Sequence, residues 1–328
     1  MDKQKTIGFT TTIPVEIIFA SGNTPCDLNN VFITDSNPMR YIERAEKDGF
    51  PKSMCNWVKG IYGVVMEEHV DTVIAVIEGD CSNTLALSEI LRYKGIKVIP
   101  FAYPYDRDRK ILKREIEKLT KALYADVEVL AVVDKEIEKV RLNLALIDRM
   151  TWHDKVVTGQ ENHLWLVRAS DMLGDYKKYN IMAEEFIKNA QKRKEMKGIN
   201  IGYIGVPPIL LDLHDFCESN GAHVVYNETQ RQFALPRSSK NIVKRYLNYT
   251  YPYGIFYRIA DIKGEIKKRN LKGLIHYVQA FCHRVMEDVI LRDMIDIPVI
   301  TIEGDLPKRL DTRTKLRIEA FIEMLGNR

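Results

Sequence analysis

The sequence predicts an α/β protein with two doubly wound parallel sheets, of flavodoxin-like or Rossmann-like topology, separated by a helical domain. Short runs of β-branched apolar residues alternate with helical patterns over residues 1–105, which is typical of a parallel sheet covered by helices. Residues 106–197 are rich in charge, poor in proline and apolar at helical spacing. The strand–helix alternation resumes over residues 198–328. We therefore expect three domains with these bounds.

The first domain shows its elements in order. A short β-like run is followed by a helix that starts at Pro14, a favoured first helical residue, and ends near Gly22. Residues 23–28 are turn-like, and Ser53 is a suitable N-cap for the next helix. Ser82 begins a further helix, which ends near Tyr93. The predicted strands cover residues 5–12, 31–34, 73–77 and 97–101.

The last domain repeats this pattern after the charged helical region. Its predicted helices cover residues 209–219, 283–294 and 313–325. Its predicted strands cover residues 199–204, 223–226, 271–278 and 298–302.

Composition limits the possible functions. The 328 residues are 45% apolar, and 49 basic against 45 acidic residues give a net charge of +4. A charge this small requires neither nucleic acid nor an anionic membrane as a partner. No apolar run reaches the roughly 18–20 residues of a membrane span, and the first residues lack the features of a secretory leader. The five cysteines are odd in number and dispersed along the chain, which disfavours a disulfide framework. We therefore expect a cytoplasmic protein.

Three cysteines share one kind of position. Cys81 follows the buried strand 73–77 and precedes a helix, and Cys282 repeats this placement in the last domain. Cys55 lies in the first turn of its helix. Helix starts favour thiolates, and ligands bind at the carboxyl edge of such sheets. Cys217 lies inside a helix and is expected to be a buried structural thiol. Cys26 lies in a predicted loop, where its position fits a ligand and a residue without a role equally well.

The bound group is left open by the residues alone. Zinc is one alternative, although the chain has no C-x₂-C knuckle and its histidines show no ligand spacing. Thiolates from distant segments suit an iron–sulfur cluster better. By their positions at strand ends and helix starts, Glu16, Ser21 and His283 are candidate catalytic residues, and His283 could bond a cluster sulfur or donate a proton.

Several segments resemble one known family. They are IPVEIIFASGNTP, MCNWVKG, GDCSNTLAL, AFCHRVMED and the terminal VITIEGDLPKRLDTRTKLRIEAFIEML. Together they are similar to the 2-hydroxyacyl-CoA dehydratase and benzoyl-CoA reductase family, in particular its dehydratase D-component subunits. The resemblance covers nearly the whole chain and includes the domain order.

The resemblance implies a cofactor and a reaction. In that family three cysteines hold one 4Fe–4S cluster, and the matching positions here are Cys55, Cys81 and Cys282. Cys26 is either a fourth ligand or not a ligand. The implied chemistry is a radical dehydration or reduction of an acyl-CoA or related small substrate, started by one low-potential electron. A separate ATP-hydrolysing iron–sulfur activator supplies that electron, in keeping with the lack of a Walker motif in this chain. Such subunits pair as homodimers or as heterodimers with a related subunit.

The number of ligating cysteines separates two functions. Three thiolates leave one iron open to a substrate oxygen, whereas a fourth from Cys26 would close it and favour pure electron transfer. The alternative function is therefore a noncatalytic, cluster-bearing electron-transfer subunit that supports a partner enzyme. A third hypothesis is an α/β protein that binds zinc or no metal and shares only the fold.

Overall fold

The structure, a computed structural model, describes residues 4–68, 70, 72–237 and 239–327. These residues form two four-stranded sheets in which all neighbouring strands are parallel. The predicted α/β class with two parallel sheets is confirmed. In chain order the strands are β1 (Thr6–Phe9), β2 (Thr24–Asp27), β3 (Thr72–Glu78), β4 (Lys97–Ala102), β5 (Ile199–Gly205), β6 (Ala222–Asn227), β7 (Gly273–Gln279) and β8 (Val299–Gly304).

Both sheets have the same strand order. The first is β2-β1-β3-β4 and the second is β6-β5-β7-β8. In each sheet the chain moves from an inner strand to one edge and then crosses to the other side. Open sheets bind ligands where this order reverses, at the carboxyl ends of the two inner strands.

Helices connect the strands. Several begin at side-chain caps, as Asp108 and Asp311 show by accepting backbone N–H groups of the first helical turn. The α-helices are α1 (Val15–Ala20), α2 (Leu28–Thr34), α3 (Met39–Lys47), α4 (Asn56–Glu67), α5 (Ser82–Tyr93), α6 (Arg109–Ala122), α7 (Val127–Trp152), α8 (Gly159–Val167), α9 (Tyr176–Ala190), α10 (Leu213–Ser219), α11 (Glu228–Phe233), α12 (Ile242–Leu247), α13 (Ile255–Arg269), α14 (Asp288–Met294) and α15 (Thr312–Gly326). Short 3-10 helices cover Arg168–Ser170, Met172–Gly174 and His283–Glu287.

Two elements of the first domain were predicted wrongly. The turn-like stretch contains β2, and the predicted strand at 31–34 is the end of α2. Pro25 fits β2 because β2 is an edge strand, where a missing N–H is tolerated. Asp27 then caps α2, its Oδ1 accepting from the Asn29 N–H at 3.0 Å. The β-branched residues at the end of this segment indicate a strand. The segment is nevertheless helical, and Leu28 and Phe32 are buried on the inner face of α2.

The chain forms two compact units. Unit 1 comprises Met1–Leu142, Arg168–Met182 and Leu235–Gly254, and unit 2 comprises Asn143–Val167, Ala183–Ala234 and Ile255–Arg328. Each unit contains one sheet. Residues 106–197, predicted as a helical domain, contribute to both units, because α7 and α9 each pass from one unit into the other.

The sheets form the cores of their units. In unit 1, residues 72–76 of β3 are all buried, with no alternation between buried and exposed side chains. This is expected for a strand that is covered on both faces. In unit 2, Ile204, Val225 and Leu274 pack with apolar residues of α13 and α14. Within the described part of the chain, no helix combines the length and apolarity needed to cross a membrane.

Candidate functional site

Cys81 lies at the carboxyl edge of the first sheet. It is the third residue after β3 and the N-cap of α5, with extended backbone angles φ −74° and ψ 135°. β3 neighbours β1 at the point where the strand order reverses. The predicted sequence of strand, cysteine and helix is confirmed.

Gly79 shapes the turn that carries Cys81. Its φ of +90° is in the region that favours glycine. A Cβ at this position would lie 2.7 Å from the Cβ of Tyr103 and 2.9 Å from the Cβ of Pro252. The turn is therefore packed against Tyr103 and Pro252, which leaves its backbone little freedom.

Cys55 lies at the start of the helix that leads into β3. It is the N-cap of α4 and its side chain is buried. A helix that leads into a parallel strand starts at the carboxyl edge of the sheet, so Cys55 is at the same edge as Cys81. The helix is closely packed: a Cβ at Gly63 would lie 2.2 Å from the Tyr41 carbonyl oxygen, and Lys59 pairs with Glu46 at 2.8 Å.

Cys282 has in unit 2 the position that Cys81 has in unit 1. It is the third residue after β7, an inner strand, and it precedes the 3-10 helix His283–Glu287. Its N–H donates to the Gln279 carbonyl at 3.0 Å. Phe281, immediately before it, has a φ of +62°, which costs free energy for a residue with a side chain.

The three thiols are divided between the units. Cys55 and Cys81 belong to unit 1 and Cys282 belongs to unit 2. Among the residues with described positions, no group of three or more His, Cys, Asp or Glu side chains is arranged to hold a metal ion. The chemistry of the donors still fits iron–sulfur ligation, because clusters are held by cysteine thiolates, and each of these cysteines is the residue before a helix.

The other two thiols have a different chemistry. Burial, Asp171 and Asp27 raise the pKa of Cys26 to about 12, so this thiol stays protonated. Cys26 lies inside β2, opposite Gly8, and not in a loop. Burial also raises the pKa of Cys217 to about 12, which agrees with its predicted structural role in α10. Both environments disfavour a free thiolate.

Glu16 is part of a buried ionic cluster. Its Oε1 accepts from Arg141 Nη2 at 2.5 Å and from Arg245 Nη1 at 2.8 Å, and its Oε2 accepts from the Tyr246 hydroxyl at 2.9 Å. Burial alone would raise the pKa of Glu16, but the two arginines outweigh it and the pKa lies below its usual value. A carboxylate fixed in this way favours a structural role over proton transfer.

Ser21 lies at the end of α1, away from Cys81. Its hydroxyl donates to the Ile18 carbonyl at 2.7 Å and accepts from Asn23 Nδ2 at 2.8 Å. Asn23 in turn accepts from the Lys5 N–H, just before β1. Ser21 is thus at the amino edge of the first sheet, opposite the edge with Cys81, and the structure does not bring the two residues together.

His283 is the first residue of the 3-10 helix after Cys282. Partial burial and the charge of Arg284 lower its pKa, so the imidazole is mostly neutral at pH 7. A neutral imidazole can both accept and donate a proton. Of the three candidate catalytic residues, His283 alone keeps a position beside a predicted ligand.

Sequence reasoning missed an aromatic cluster at the edge of the first sheet. The rings of Tyr249 and Tyr253 lie 5.8 and 6.0 Å from that of Tyr103, whose hydroxyl donates to the Thr12 carbonyl at 2.8 Å. Burial raises the pKa of Tyr249 well above its usual value, although the hydroxyls of Thr12 and Thr11 act to lower it. The run YLNYTYPYGIFY carries the only signal for this cluster, a high density of tyrosine.

Two comparisons with known proteins bear on this geometry. A search of curated proteins finds no match to the chain. The sequence model of the family described as "2-hydroxyglutaryl-CoA dehydratase, D-component" matches residues 10–325, nearly the whole chain. The resemblance seen in the separate motifs is thereby confirmed. The chain belongs to the 2-hydroxyglutaryl-CoA dehydratase D-component family and is a dehydratase-type enzyme subunit.

Proposed function

We propose that this protein is an iron–sulfur subunit of a 2-hydroxyacyl-CoA dehydratase-type lyase or reductase, which dehydrates or reduces an acyl-CoA or a related small substrate. The observation that carries the proposal is the equivalent placement of Cys81 and Cys282. Both follow the third strand of their sheet, at the edge where such sheets bind ligands.

The proposed ligands of a 4Fe–4S cluster are Cys55, Cys81 and Cys282. When bound, the cluster supplies low-potential electron transfer, and three thiolates leave one iron open. Cys26 is not in the proposed set, because it lies inside the edge strand β2, whereas the three proposed ligands each precede a helix. A set of three ligands favours the catalytic function over a pure electron relay.

The chain's own residues have distinct proposed roles. Tyr103 and Pro252 hold the Cys81 turn by packing against Gly79. Glu16 fixes α1 to α7 and α12 through its two arginines. His283 holds or releases a proton beside Cys282.

The proposed partners follow from the same family. A separate ATP-hydrolysing iron–sulfur activator delivers the electron, and the subunit pairs with a second copy or with a related chain. We assign the reaction to the cytoplasm, where reduced thiols persist.

Anaerobic purification with iron and sulfide analysis tests the cluster. We expect about four iron atoms per wild-type chain and loss of most of them in Cys55→Ser, Cys81→Ser and Cys282→Ser. Cys217→Ser and Cys26→Ser are the matched controls and should retain the iron. Wild-type protein without iron would overturn the proposal, and loss of iron in C26S would restore the four-ligand alternative.

Addition of acyl-CoA tests catalysis. The electron paramagnetic resonance spectrum of the reduced cluster should change when a 2-hydroxyacyl-CoA is added, because the substrate approaches the open iron. A spectrum that ignores the thioester would favour the electron-transfer subunit.

A further inference from the structure

Arg258 is a buried arginine on α13 that bridges two carboxylates. It is 1% exposed. Its Nε and Nη2 donate to the two carboxylate oxygens of Glu228 at 2.7 and 2.9 Å, and its Nη1 donates to Glu287. The guanidinium thus makes a bidentate pair with Glu228 and a third charged hydrogen bond to Glu287.

Glu228 connects Arg258 to the carboxyl edge of the second sheet. Its Oε2 also accepts from the Gly205 N–H at 2.8 Å. Gly205 ends β5, the inner strand beside β7. Arg258 is therefore fixed relative to the strand ends where Cys282 lies.

Glu287 is the last residue of the 3-10 helix that follows Cys282. It also accepts from Arg284 Nη1 at 3.1 Å. The other end of the turn is held by the Ala280 N–H, which donates to the Gly304 carbonyl at 2.8 Å. Between these two attachments, Phe281 keeps its left-handed φ of +62°, a conformation that persists only where the surroundings enforce it.

We propose that Arg258 is a positioning residue that, through Glu287, holds the turn carrying Cys282. The inference rests on the proposed function for the role of Cys282, and it adds a residue that positions that thiol through Glu287. Removing the bond between Arg258 and Glu287 frees one end of the turn. The turn then relaxes from the strained geometry at Phe281, and the thiol loses its fixed place.

Lysine does not replace this arginine. A lysine ammonium keeps the charge but lacks the planar fork that bonds Glu228 and Glu287 at the same time. Arg258→Lys therefore tests geometry at constant charge. Glu287→Gln weakens the connection from the other side, because the amide keeps the shape of the side chain but loses the charge that strengthens the bond. Glu287 is partly exposed, so the substitution is better tolerated.

Arg269 offers a matched control on the same helix. It is also 1% exposed and bonds two carboxylates, with Nε 2.6 Å from Glu265 and Nη2 2.6 Å from Asp148. Its partners lie on α13 and α7, whereas those of Arg258 lie on α11 and on the 3-10 helix after Cys282. Arg269→Lys removes a comparable buried fork from unit 2 without touching the Cys282 turn.

Thiol alkylation of the full-length, cluster-free protein tests the proposal. Iodoacetamide labelling under anaerobic conditions is followed by mass spectrometry, with Cys81 as the internal reference. In R258K and E287Q we expect Cys282 to react about threefold faster or more, because the loosened turn opens more often. In R269K the ratio of Cys282 to Cys81 labelling should stay at the wild-type value. Unchanged labelling in R258K and E287Q, or an equal rise in R269K, would overturn the inference.

The cluster provides a second readout. In iron-loaded protein, R258K should shift the electron paramagnetic resonance spectrum of the reduced cluster, whereas R269K should not. An R258K spectrum identical to wild type would overturn the inference. If wild-type protein binds no iron, the proposed function fails, and the labelling experiment still decides whether Arg258 positions the turn.

Discussion

Glu16 and Arg245 form a buried ion pair across 229 residues of sequence. The pair attaches α12 to α1. Helix α12 belongs to the segment Leu235–Gly254, which is part of unit 1. That segment carries Pro252, which packs against the Cys81 turn. Glu16, which the sequence made a candidate catalytic residue, thus supports the Cys81 turn indirectly, by holding the segment that contains Pro252.

Replacing Glu16 should destabilise the protein severely. Glu16→Gln removes the buried carboxylate that Arg141 and Arg245 share and leaves Asp134 as their main charged partner. We expect a loss of about 3 kcal/mol in the free energy of unfolding. Urea denaturation measures this loss. As a control, Glu115→Gln breaks the Glu115–Lys118 pair, in which the lysine is 72% exposed, and should cost less than about 1 kcal/mol. Similar losses in the two variants would contradict a structural role for Glu16.

Alanine substitutions at Gly79 and Gly95 should distinguish the stability cost of backbone strain from that of steric overlap. Both have positive φ values, +90° and +87°, but a Cβ at Gly95 would meet no atom within 4 Å. Gly95→Ala should therefore cost about 1–2 kcal/mol from strain alone. Gly79→Ala should cost about 1–3 kcal/mol more, because its Cβ overlaps Tyr103 and Pro252.

Thermal or urea unfolding of both glycine variants gives this difference directly. Iron content provides the functional comparison, since only G79A moves the turn that carries Cys81. Equal stability losses in the two variants would show that the turn is not closely packed.

Asp171 should make the protein less stable as the pH rises. Burial and the charge of Asp27 raise the pKa of Asp171 to about 7, whereas an unfolded aspartate titrates near pH 4. The folded state therefore holds a proton that the unfolded state releases, so this contribution to stability is complete below about pH 4 and is lost by about pH 7. Asp171→Asn should remove this decline, which amounts to about 4 kcal/mol at most.

Urea denaturation between pH 4 and pH 8 measures the slope. Asp175→Asn, at an exposed position on the same segment, serves as the control and should keep the wild-type decline. A D171N protein that loses stability over this range as steeply as wild type would contradict the prediction.

His214 should have the opposite effect. Burial lowers its pKa to about 4, and its Nε2 donates to Asn227 Oδ1 at 2.8 Å. The unfolded state takes up a proton near pH 6.5 that the folded state refuses, so stability is lost as the pH falls from about 6.5 to about 4. His214→Gln, which can keep the bond to Asn227, should flatten this part of the curve. The exposed His153→Gln should leave it unchanged, and equal slopes in all three proteins would disprove the assignment.

Local patterns predicted much of the fold and part of the site. The apolar strand before Cys81 and the caps after it depend on neighbouring residues, so periodicity and N-cap preference identify them from the sequence. The same holds for Cys282. The prediction failed at 23–34, where β-branched residues indicate a strand but the buried face of α2 and the edge position of β2 decide otherwise.

The sequence by itself determined the class of the protein, its family and the equivalent placement of Cys81 and Cys282, because these depend on residues close together in the chain. Only the tertiary structure decided that Glu16 meets Arg245, that Ser21 is at the opposite edge of the sheet, and that Arg258 reaches Glu287. Such pairs depend on which faces of distant segments become buried together. Buried charges must find partners wherever the packing brings them, and no local pattern encodes that choice.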